Sequence, residues 1–192
     1  MKRLILASSS PSRKEILERA GYEFDMISSD VEEIVDSYGS PEEYVEKLAL
    51  KKAEHIALRN KDAVVLGADL MMLVDGELLG KPKNEEKSKE MLRMLSGKKV
   101  IAITGFAIVD SRNIAVSHAK TTLKIKKLTE DEINAYVLTQ EGFNGAGGFF
   151  HMKKFSIFVE CIKGTSSCIA GLPIYEISKY LEEFGIKPKW MD

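Results

Sequence analysis

Apolar residues occur along the chain in short runs that are separated by polar segments rich in glycine, proline and serine. Runs that are continuously apolar, or that alternate with polar residues, are typical of β-strands. The run from Ala63 to Val74 is apolar at almost every position, which is typical of a strand buried on both faces, and Asp75-Gly76 after it predicts a tight hairpin turn. We predict strands over 2–8, 22–27, 63–74, 77–79, 100–109, 114–125 and 155–162.

Helices are predicted where apolar residues recur every three or four positions behind a capping residue. Ser10-Pro11, Ser40-Pro41 and Thr129 are such starts, because the hydroxyl accepts a hydrogen bond from the first turn and proline suits the first helical position. Strands and helices alternate, and the adjacent hairpin strands indicate an α/β fold with a mixed sheet. The predicted helices span 11–20, 41–58, 85–95, 130–138 and 173–184, and the glycine-rich segment 142–148 is predicted to be a loop.

The start of the chain combines hydroxyl groups and cations at the point where a strand gives way to a helix. Ser8-Ser9-Ser10 precedes Pro11, and Arg13-Lys14 falls in the first helical turn. Positive side chains there oppose the helix dipole, whereas a phosphate would be attracted to the exposed N–H groups and the cations. The alternative is an ordinary strand-to-helix turn whose basic residues lie in solvent. On this stretch alone the two interpretations are equally good.

Asp69 is the most informative single residue, because a carboxylate inside an apolar strand is costly to bury unless it is paired or bound to a metal. Gly67 before it permits the close approach of another backbone or of a ligand. A general base or a ligand of a hard divalent cation is one interpretation. The alternative is a structural aspartate that is satisfied by backbone N–H groups or by Lys81 across the hairpin.

Two lysines are candidates for binding an anion. Lys81 lies between Gly80 and Pro82 on a stiffened backbone and could meet a phosphate as a point charge, although a solvated loop lysine has the same pattern. Lys52 falls on the apolar face of the helix predicted over 41–58, which is a weak signal because lysine stems often cover apolar surface. Hydroxyls, cations and a buried carboxylate together indicate hydrolysis of a phosphate ester or anhydride with magnesium.

Composition and charge narrow the class of protein. The chain has 192 residues, 44% of them hydrophobic, which suits one domain or two lobes that share a core. The net charge of -1 gives no reason to expect nucleic acid or an anionic membrane as a partner. No apolar run approaches the roughly 20 residues that cross a bilayer, and no signal peptide is expected. Cys161 and Cys168 are expected to be buried, reduced thiols of a cytosolic protein, and the histidines have no metal-ligand spacing.

Several linked motifs resemble those of the Maf family, in the order that the family has them. The first two are Ala7 to Glu15 and Leu66-Gly67-Ala68-Asp69, and the others are Asp75 to Pro82, Met91 to Gly97, Thr104-Gly105 and Gly171-Leu172-Pro173. The resemblance covers nearly the whole chain. It implies a single domain over 1–192 with a long, bent mixed sheet flanked by helices and two lobes around a central cleft, similar to inosine triphosphate pyrophosphatases. It also implies a cytoplasmic nucleoside triphosphate pyrophosphatase that releases the monophosphate and pyrophosphate.

The resemblance also assigns roles to residues. It implies that Asp69 is the catalytic proton acceptor and a metal ligand together with Glu33, with Mg²⁺ or Mn²⁺ as the cofactor. Ser8, Ser10 and Arg13 fall on the phosphate-binding turn, and Lys52 and Lys81 fall on basic positions of the cleft. Related proteins are often dimers, so a homodimer is an expectation too.

Three departures from the family pattern fall where base choice is expected to be set. Ser12 replaces an arginine, Leu70 replaces the threonine of the thymidine/uridine triphosphate branch, and Met152 replaces a glutamine that reads the base. Asn144-Gly145 also replaces an Asp-Lys pair. These changes leave the nucleobase open. They motivate one alternative, a catalytically weak nucleotide-binding regulatory protein linked to cell division, and a phosphohydrolase acting on sugar phosphates or monophosphates is a further one.

Overall fold

The computed structural model describes residues 2–32, 35 and 37–191. Its strands are β1 (Arg3–Leu6), β2 (Asp25–Met26), β3 (Ala63–Val74), β4 (Glu77–Leu79), β5 (Lys99–Val109), β6 (Ile114–Ile125) and β7 (Val159–Lys163). Its α-helices are α1 (Pro11–Ala20), α2 (Pro41–Ala57), α3 (Glu85–Leu95), α4 (Glu130–Leu138), α5 (Ser166–Ile169) and α6 (Ile174–Glu183). Short 3₁₀ helices cover Glu141–Asn144, Ala146–Gly148, Lys154–Phe158 and Lys189–Met191.

The strands form one seven-stranded sheet in the order β2-β1-β3-β5-β6-β7, with β4 paired to β3. β1 is parallel to both β2 and β3, whereas β3–β4 and β6–β7 are antiparallel pairs. The sheet is therefore mixed, and the predicted α/β class with a mixed sheet flanked by helices is confirmed. No helix in the described part of the chain is long and apolar enough to cross a membrane.

The helix starts follow the predicted capping chemistry. The side chains of Ser10, Ser40 and Thr129 each accept a hydrogen bond from the backbone N–H three residues later. Thr129 and Glu132 form a reciprocal capping box. Gly21 ends α1 in the left-handed conformation with φ 83°, as predicted.

Several predicted features were wrong in detail. Of the strand predicted over 22–27 only Asp25–Met26 pairs with β1, because the N–H of Tyr22 donates to Leu17 and belongs to the end of α1. The first half of the strand predicted over 155–162 is a 3₁₀ helix, which buries both Phe155 and Phe158 on one side. The loop predicted over 142–148 contains two 3₁₀ turns, and α5 was not predicted. Cys168 is buried as expected, but Cys161 is exposed on β7.

The chain divides into two compact units, and each is described by itself. The first comprises 1–69, 104–119 and 170–192, and the second comprises 70–103 and 120–169. Strands β3, β5 and β6 each have residues in both units. The expected single domain, with two lobes that share one sheet, stays a prediction.

In the first unit, helices cover both faces of the sheet. Side chains of a strand alternate between faces, so Leu4 and Leu6 of β1 pack with α1 and α6, while Ile5 and Ala7 pack in a separate core cluster with α2. The second unit has its own core, in which the rings of Tyr136, Phe149, Phe155 and Phe158 contact one another.

Helix α2 lies unusually close to the sheet at two glycines. A Cβ atom at Gly67 of β3 would lie 2.3 Å from the carbonyl oxygen of Ala49, and one at Gly105 of β5 would lie 2.4 Å from the carbonyl carbon of Val45. Real Cβ atoms do not approach backbone so closely, so any side chain at either position would force α2 away from the sheet. Of the two alternatives predicted for Gly67, a backbone or a ligand close by, the structure shows the close approach of another backbone.

We expect Gly67→Ala to lower the free energy of unfolding by about 1–3 kcal/mol, because the added methyl group overpacks the contact with Ala49 and Ala53. Chemical denaturation measures this change. Gly80→Ala is the matched control, since a Cβ there would meet only the Met71 side chain at an ordinary 3.8 Å, and its effect should stay within about 0.5 kcal/mol. Equal effects of the two substitutions would contradict the close approach of α2.

Candidate active site

The turn between β1 and α1 gathers hydroxyls and one guanidinium group. The Oγ atom of Ser10 accepts a hydrogen bond from the N–H of Arg13 at 3.5 Å, and the Oγ atom of Ser8 accepts one from the N–H of Ser10 at 3.2 Å. Ser8 is buried, Ser10 is half-buried, and no acidic residue lies in the first turn of α1. The start of this helix therefore presents N–H groups and hydroxyls without a carboxylate to balance its dipole.

The side chains of Arg13 and Lys14 make different kinds of contact. The Nη1 of Arg13 donates to the Oγ of Ser8 at 3.1 Å, and its Nε donates to the carbonyl oxygen of Gly171 at 2.8 Å. Lys14 instead forms an exposed ion pair with Glu18 one turn along the helix, at 3.4 Å. Arg13 is thus held at the turn by its neighbours, whereas Lys14 behaves as an ordinary surface residue. The contact with Gly171 was not predicted from the sequence.

Asp69 forms a buried ion pair with Lys52. The Nζ of Lys52 lies 2.6 Å from the Oδ1 of Asp69, and the two side chains are only 8% and 10% exposed. Lys81 was one partner predicted for Asp69, but the structure pairs this carboxylate with Lys52. The pair places a charged donor and a charged acceptor together where water has little access.

The close contact of α2 explains why these two residues meet. Positions 65, 67 and 69 of β3 share one face of the strand, and Val65 and Ala49 belong to the core cluster beneath α2. Gly67 lets the helix backbone touch the strand. Lys52 lies one turn after Ala49 on the same side of α2, and therefore reaches the next position of that strand face, Asp69.

The register of β1 and β3 brings the turn to the level of Asp69. Leu6 pairs in parallel with Leu66, and the N–H of Ala7 donates to the carbonyl oxygen of Leu66 at 2.8 Å. Ser8 therefore leaves the sheet beside Gly67–Asp69, in the middle of β3. Of the predicted site residues, the structure brings together Ser8, Ser10 and Arg13 in the turn, and Lys52 and Asp69 in the neighbouring ion pair.

The other predicted residues lie elsewhere in the chain. Lys81 is exposed on the loop after β4, and Leu70 is half-buried and packs on the core of the second unit. Ser12 is half-buried in the first turn of α1, and Met152 is 66% exposed in a turn of the second unit. Glu33 lies outside the described residues. The roles predicted for all of these side chains stay predictions.

A preformed metal site is not found in the part of the chain that the structure describes. No group of three or more His, Cys, Asp or Glu side chains is placed there to hold an ion. Asp69 is the one carboxylate of the assembled residues named above, and it already contacts Lys52. A single carboxylate is too few ligands for a metal site made of protein side chains alone. Mg²⁺, however, often binds through only one or two carboxylates, and phosphate oxygens and water complete its coordination. Asp69 fits that mode of binding.

The model of the Maf-like protein family matches residues 3–184, which is nearly the whole length of the chain. The chain belongs to the Maf-like family. A relative from Bacillus cereus named dTTP/UTP pyrophosphatase is 44% identical over 186 residues, covering 97% of both chains. One of the same name from Bacillus anthracis is 43% identical over 97% of both chains. The alternative of a catalytically weak nucleotide-binding regulatory protein is not favoured by these relatives.

A weaker likeness links the chain to a solved structure, that of the Ham1 protein of Staphylococcus aureus. The two are 16% identical with a TM-score of 0.46, and the match covers 65% of this chain and 72% of that one. A match at this level supports no conclusion about function.

One departure from the family pattern has a structural explanation. Gly145 occupies the position where the motif has a lysine, and a Cβ atom there would lie 2.3 Å from the carbonyl oxygen of Phe149. The turn at 145–149 is therefore closed too tightly for any side chain at this position. A lysine at this position would require the turn to open.

A double-mutant cycle on the buried ion pair tests whether its two members act as a unit. Lys52→Met and Asp69→Leu should each lower the free energy of unfolding by about 3 kcal/mol, because each removes the oppositely charged partner of a buried charge. The double variant should recover about 2 kcal/mol relative to the sum of the two effects. Urea denaturation of the four proteins gives the coupling.

Lys51→Met is the control for this cycle. Lys51 is exposed on the same helix, and its Nζ donates to the backbone carbonyl of Glu32 at 2.8 Å. Its substitution should change stability by no more than about 0.5 kcal/mol and should add to that of Asp69→Leu without coupling. Additive effects of Lys52→Met and Asp69→Leu would contradict the pairing.

Proposed function

We propose that this protein is a nucleoside triphosphate pyrophosphatase that hydrolyses its substrate to the nucleoside monophosphate and pyrophosphate. The observation that carries the proposal is the buried Lys52–Asp69 pair beside a turn rich in hydroxyls and N–H donors. The names of the relatives, 44% and 43% identical over nearly the full length, support the same reaction.

The turn between β1 and α1 suits the binding of a phosphate group. Ser8, Ser10 and the N-terminal N–H groups of α1 are donors of the kind that anions bind. Arg13 adds a fixed positive charge, because its contacts with Ser8 and Gly171 hold the guanidinium at the turn. These groups would offset the negative charge of the triphosphate and the charge that builds on the departing pyrophosphate.

Asp69 would act as the general base. A water oxygen attacks the α-phosphorus, the bond from that phosphorus to the bridging oxygen breaks, and the pyrophosphate leaves with the electron pair of the broken bond. The proton of the attacking water passes to the carboxylate of Asp69. Lys52, at 2.6 Å from Oδ1, would hold this carboxylate in place.

We also propose a divalent cation, Mg²⁺ or Mn²⁺, as the cofactor. Asp69 would hold it together with phosphate oxygens of the substrate, and Glu33 is the proposed second ligand. When bound, the ion would neutralise charge on the phosphates. A requirement for added Mg²⁺ or Mn²⁺ is therefore part of the test below.

The proposed substrates are pyrimidine triphosphates, with dTTP and UTP first, because the curated relatives carry these names. Leu70, Ser12 and Met152 differ from the family pattern at positions expected to set base choice. The order of preference among the pyrimidine triphosphates is therefore left to the substrate panel described below. The family resemblance also supports a cytoplasmic enzyme and a homodimer.

A panel of canonical and modified triphosphates, assayed with Mg²⁺ or Mn²⁺, tests the proposal. We expect release of pyrophosphate, not orthophosphate, with dTTP or UTP among the best substrates. Asp69→Asn should lower kcat by at least about 100-fold, because a positioned general base contributes roughly that much or more.

Asp62→Asn is the control, since Asp62 is exposed just before β3 and takes no part in the proposed chemistry. It should retain the activity of the natural protein. Absence of turnover with every triphosphate, or activity that Asp69→Asn leaves unchanged, would contradict the proposed function.

A further inference from the structure

A cleft in the first unit is separate from the candidate active site. Its volume is about 720 Å³, which falls in the range of small-molecule binding sites. It is lined by residues 2–4 at the start of β1, residues 22–26 around β2, Lys14 and Glu18 of α1, and residues 186, 187 and 189 after α6. All of these residues belong to the first unit. None of the residues assigned above to the candidate active site lines this cleft.

The floor of the cleft is apolar. Tyr22 and Ile186 are buried members of the core cluster between the sheet, α1 and α6, and Phe24 and Met26 pack against the same cluster. Phe24 and Met26 are only half-buried, so aromatic and aliphatic surface is left open in the cleft. A floor of this kind suits the flat apolar body of a small organic ligand.

Tyr22 adds a polar group to this floor that has no partner. The residue is 6% exposed, and its hydroxyl forms no hydrogen bond within the described part of the chain. Among the described residues, the unpartnered side-chain oxygen that is fully enclosed is Oε2 of Glu176, so the Tyr22 oxygen is reached from the cleft. Burial of a hydroxyl without a partner is costly. The Tyr22 hydroxyl is therefore placed to bind a group that enters the cleft.

The Tyr22 hydroxyl acts as a donor. Burial, together with the negative charge of Glu182, raises the pKa of Tyr22, so the phenol keeps its proton at neutral pH. A protonated phenol donates one hydrogen bond. The matching group on a ligand is an acceptor oxygen.

The charged residues that line the cleft favour an anion over a cation. Five cations and three carboxylates are present in the lining. Each of the three carboxylates is already paired with a lining cation, in the ion pairs Arg3–Asp25, Lys14–Glu18 and Lys189–Glu23. The other two cations, Lys2 and Lys187, are paired with residues outside the lining.

Lys187 is the cation best placed to join the Tyr22 hydroxyl. Its Nζ lies 3.7 Å from Oε1 of Glu182, and the two side chains are 52% and 68% exposed. An ion pair so long and so exposed is weak, and Lys187 can therefore exchange it for a ligand. Since Glu182 also acts on the Tyr22 hydroxyl, the ammonium group and the hydroxyl lie on the same side of the cleft.

We propose that this cleft is a second binding site, which takes a small organic anion with a flat apolar body. The body packs on Phe24, Met26 and Ile186, and the anionic oxygens accept hydrogen bonds from the Tyr22 hydroxyl and the Lys187 ammonium group. Aryl carboxylates and aryl phosphates share this chemistry. The site goes beyond the proposed function, because its residues take no part in the proposed hydrolysis.

The first experiment titrates the full chain with 8-anilinonaphthalene-1-sulfonate, a fluorescent probe that joins aromatic rings to a sulfonate. We expect a Kd on the order of 10–100 μM, as for other ligands of this size. Trp190, the single tryptophan, reports the location of the bound probe by energy transfer. Its Nε1 donates to the carbonyl oxygen of Ala20 at 2.9 Å, two residues from Tyr22. Absence of binding, or binding without energy transfer from Trp190, overturns the proposal.

Two variants test the groups that would hold the anion. Tyr22→Phe keeps the ring in the core and should raise the Kd of the probe about tenfold, because the hydrogen bond to a charged group is lost. Lys187→Met changes an exposed side chain and should raise the Kd about three- to fivefold. Binding that both variants leave unchanged overturns the proposal.

Tyr175→Phe and Lys179→Met are the matched controls. Tyr175 is 62% exposed on α6, the Nζ of Lys179 lies 4.0 Å from the centre of its ring, and neither residue lines the cleft. Each control should leave the Kd within about twofold of the natural value. Controls that weaken binding as much as Tyr22→Phe and Lys187→Met would contradict the assigned location.

Displacement of the probe distinguishes the two kinds of anion. Phenylacetate offers a carboxylate and phenyl phosphate offers a phosphate, and the one that displaces the probe at the lower concentration identifies the anionic group. Inorganic phosphate has no apolar body and should displace the probe much less than either. Displacement by inorganic phosphate at the same concentration, or by none of the three compounds, overturns the proposal.

Discussion

The contact between the backbone of α2 and the sheet is the constraint on which the candidate site depends. At Gly67 and Gly105 the helix backbone approaches the strands so closely that neither position has space for a Cβ atom. At the contact with Gly67, α2 carries the small residues Ala49 and Ala53. Lys52 is buried on the same helix, and its ammonium group reaches Asp69.

The positions of the ion pair and of the turn between β1 and α1 follow from the alternation of side chains between the two faces of β3 and from the pairing of β3 with β1. The strand face that meets α2 carries Val65, Gly67 and Asp69, and the parallel pairing with β1 brings Ser8 to the same level of the sheet. Chemistry at the carboxyl ends of neighbouring parallel strands is typical of α/β proteins. Here the carboxyl end of β1 leads into the helix that carries Arg13, and the middle of the neighbouring β3 supplies the carboxylate.

Much of this could be predicted from the sequence because the signals are local. Proline behind a serine marks the starts of α1 and α2, and an aspartate in an apolar strand identifies Asp69 as a residue that needs a partner. The identity of that partner cannot be read from the residues near Asp69 in the sequence. Lys52 lies on helix α2, at a position of its apolar face. A lysine whose stem merely covers apolar surface occupies the same kind of position. Only the helix–sheet distance set by Gly67 distinguishes the two.

The second unit was harder to predict for a related reason. Phe155, Ile157 and Val159 alternate like a strand, yet burial of both Phe155 and Phe158 in the aromatic core favours a turn of 3₁₀ helix, with Ile157 exposed. Tertiary packing here overrides the local pattern. His151 has no metal-ligand spacing in the sequence, and the structure buries it. Its contact with Ser166 depends on a turn and a short helix that the sequence does not define.

The central claim is that the close approach of α2 at Gly67 exists to hold Lys52 against Asp69. The most direct measurement is the coupling between Gly67→Ala and Asp69→Asn in kcat/KM for the best triphosphate substrate, determined below the melting temperature of every variant. If the claim holds, Gly67→Ala lowers kcat/KM by about tenfold or more in the natural protein, equivalent to about 1.4 kcal/mol, and has little further effect once Asp69 is replaced. Equal effects of Gly67→Ala in the two backgrounds would show that the helix contact and the ion pair act independently, and would contradict the account.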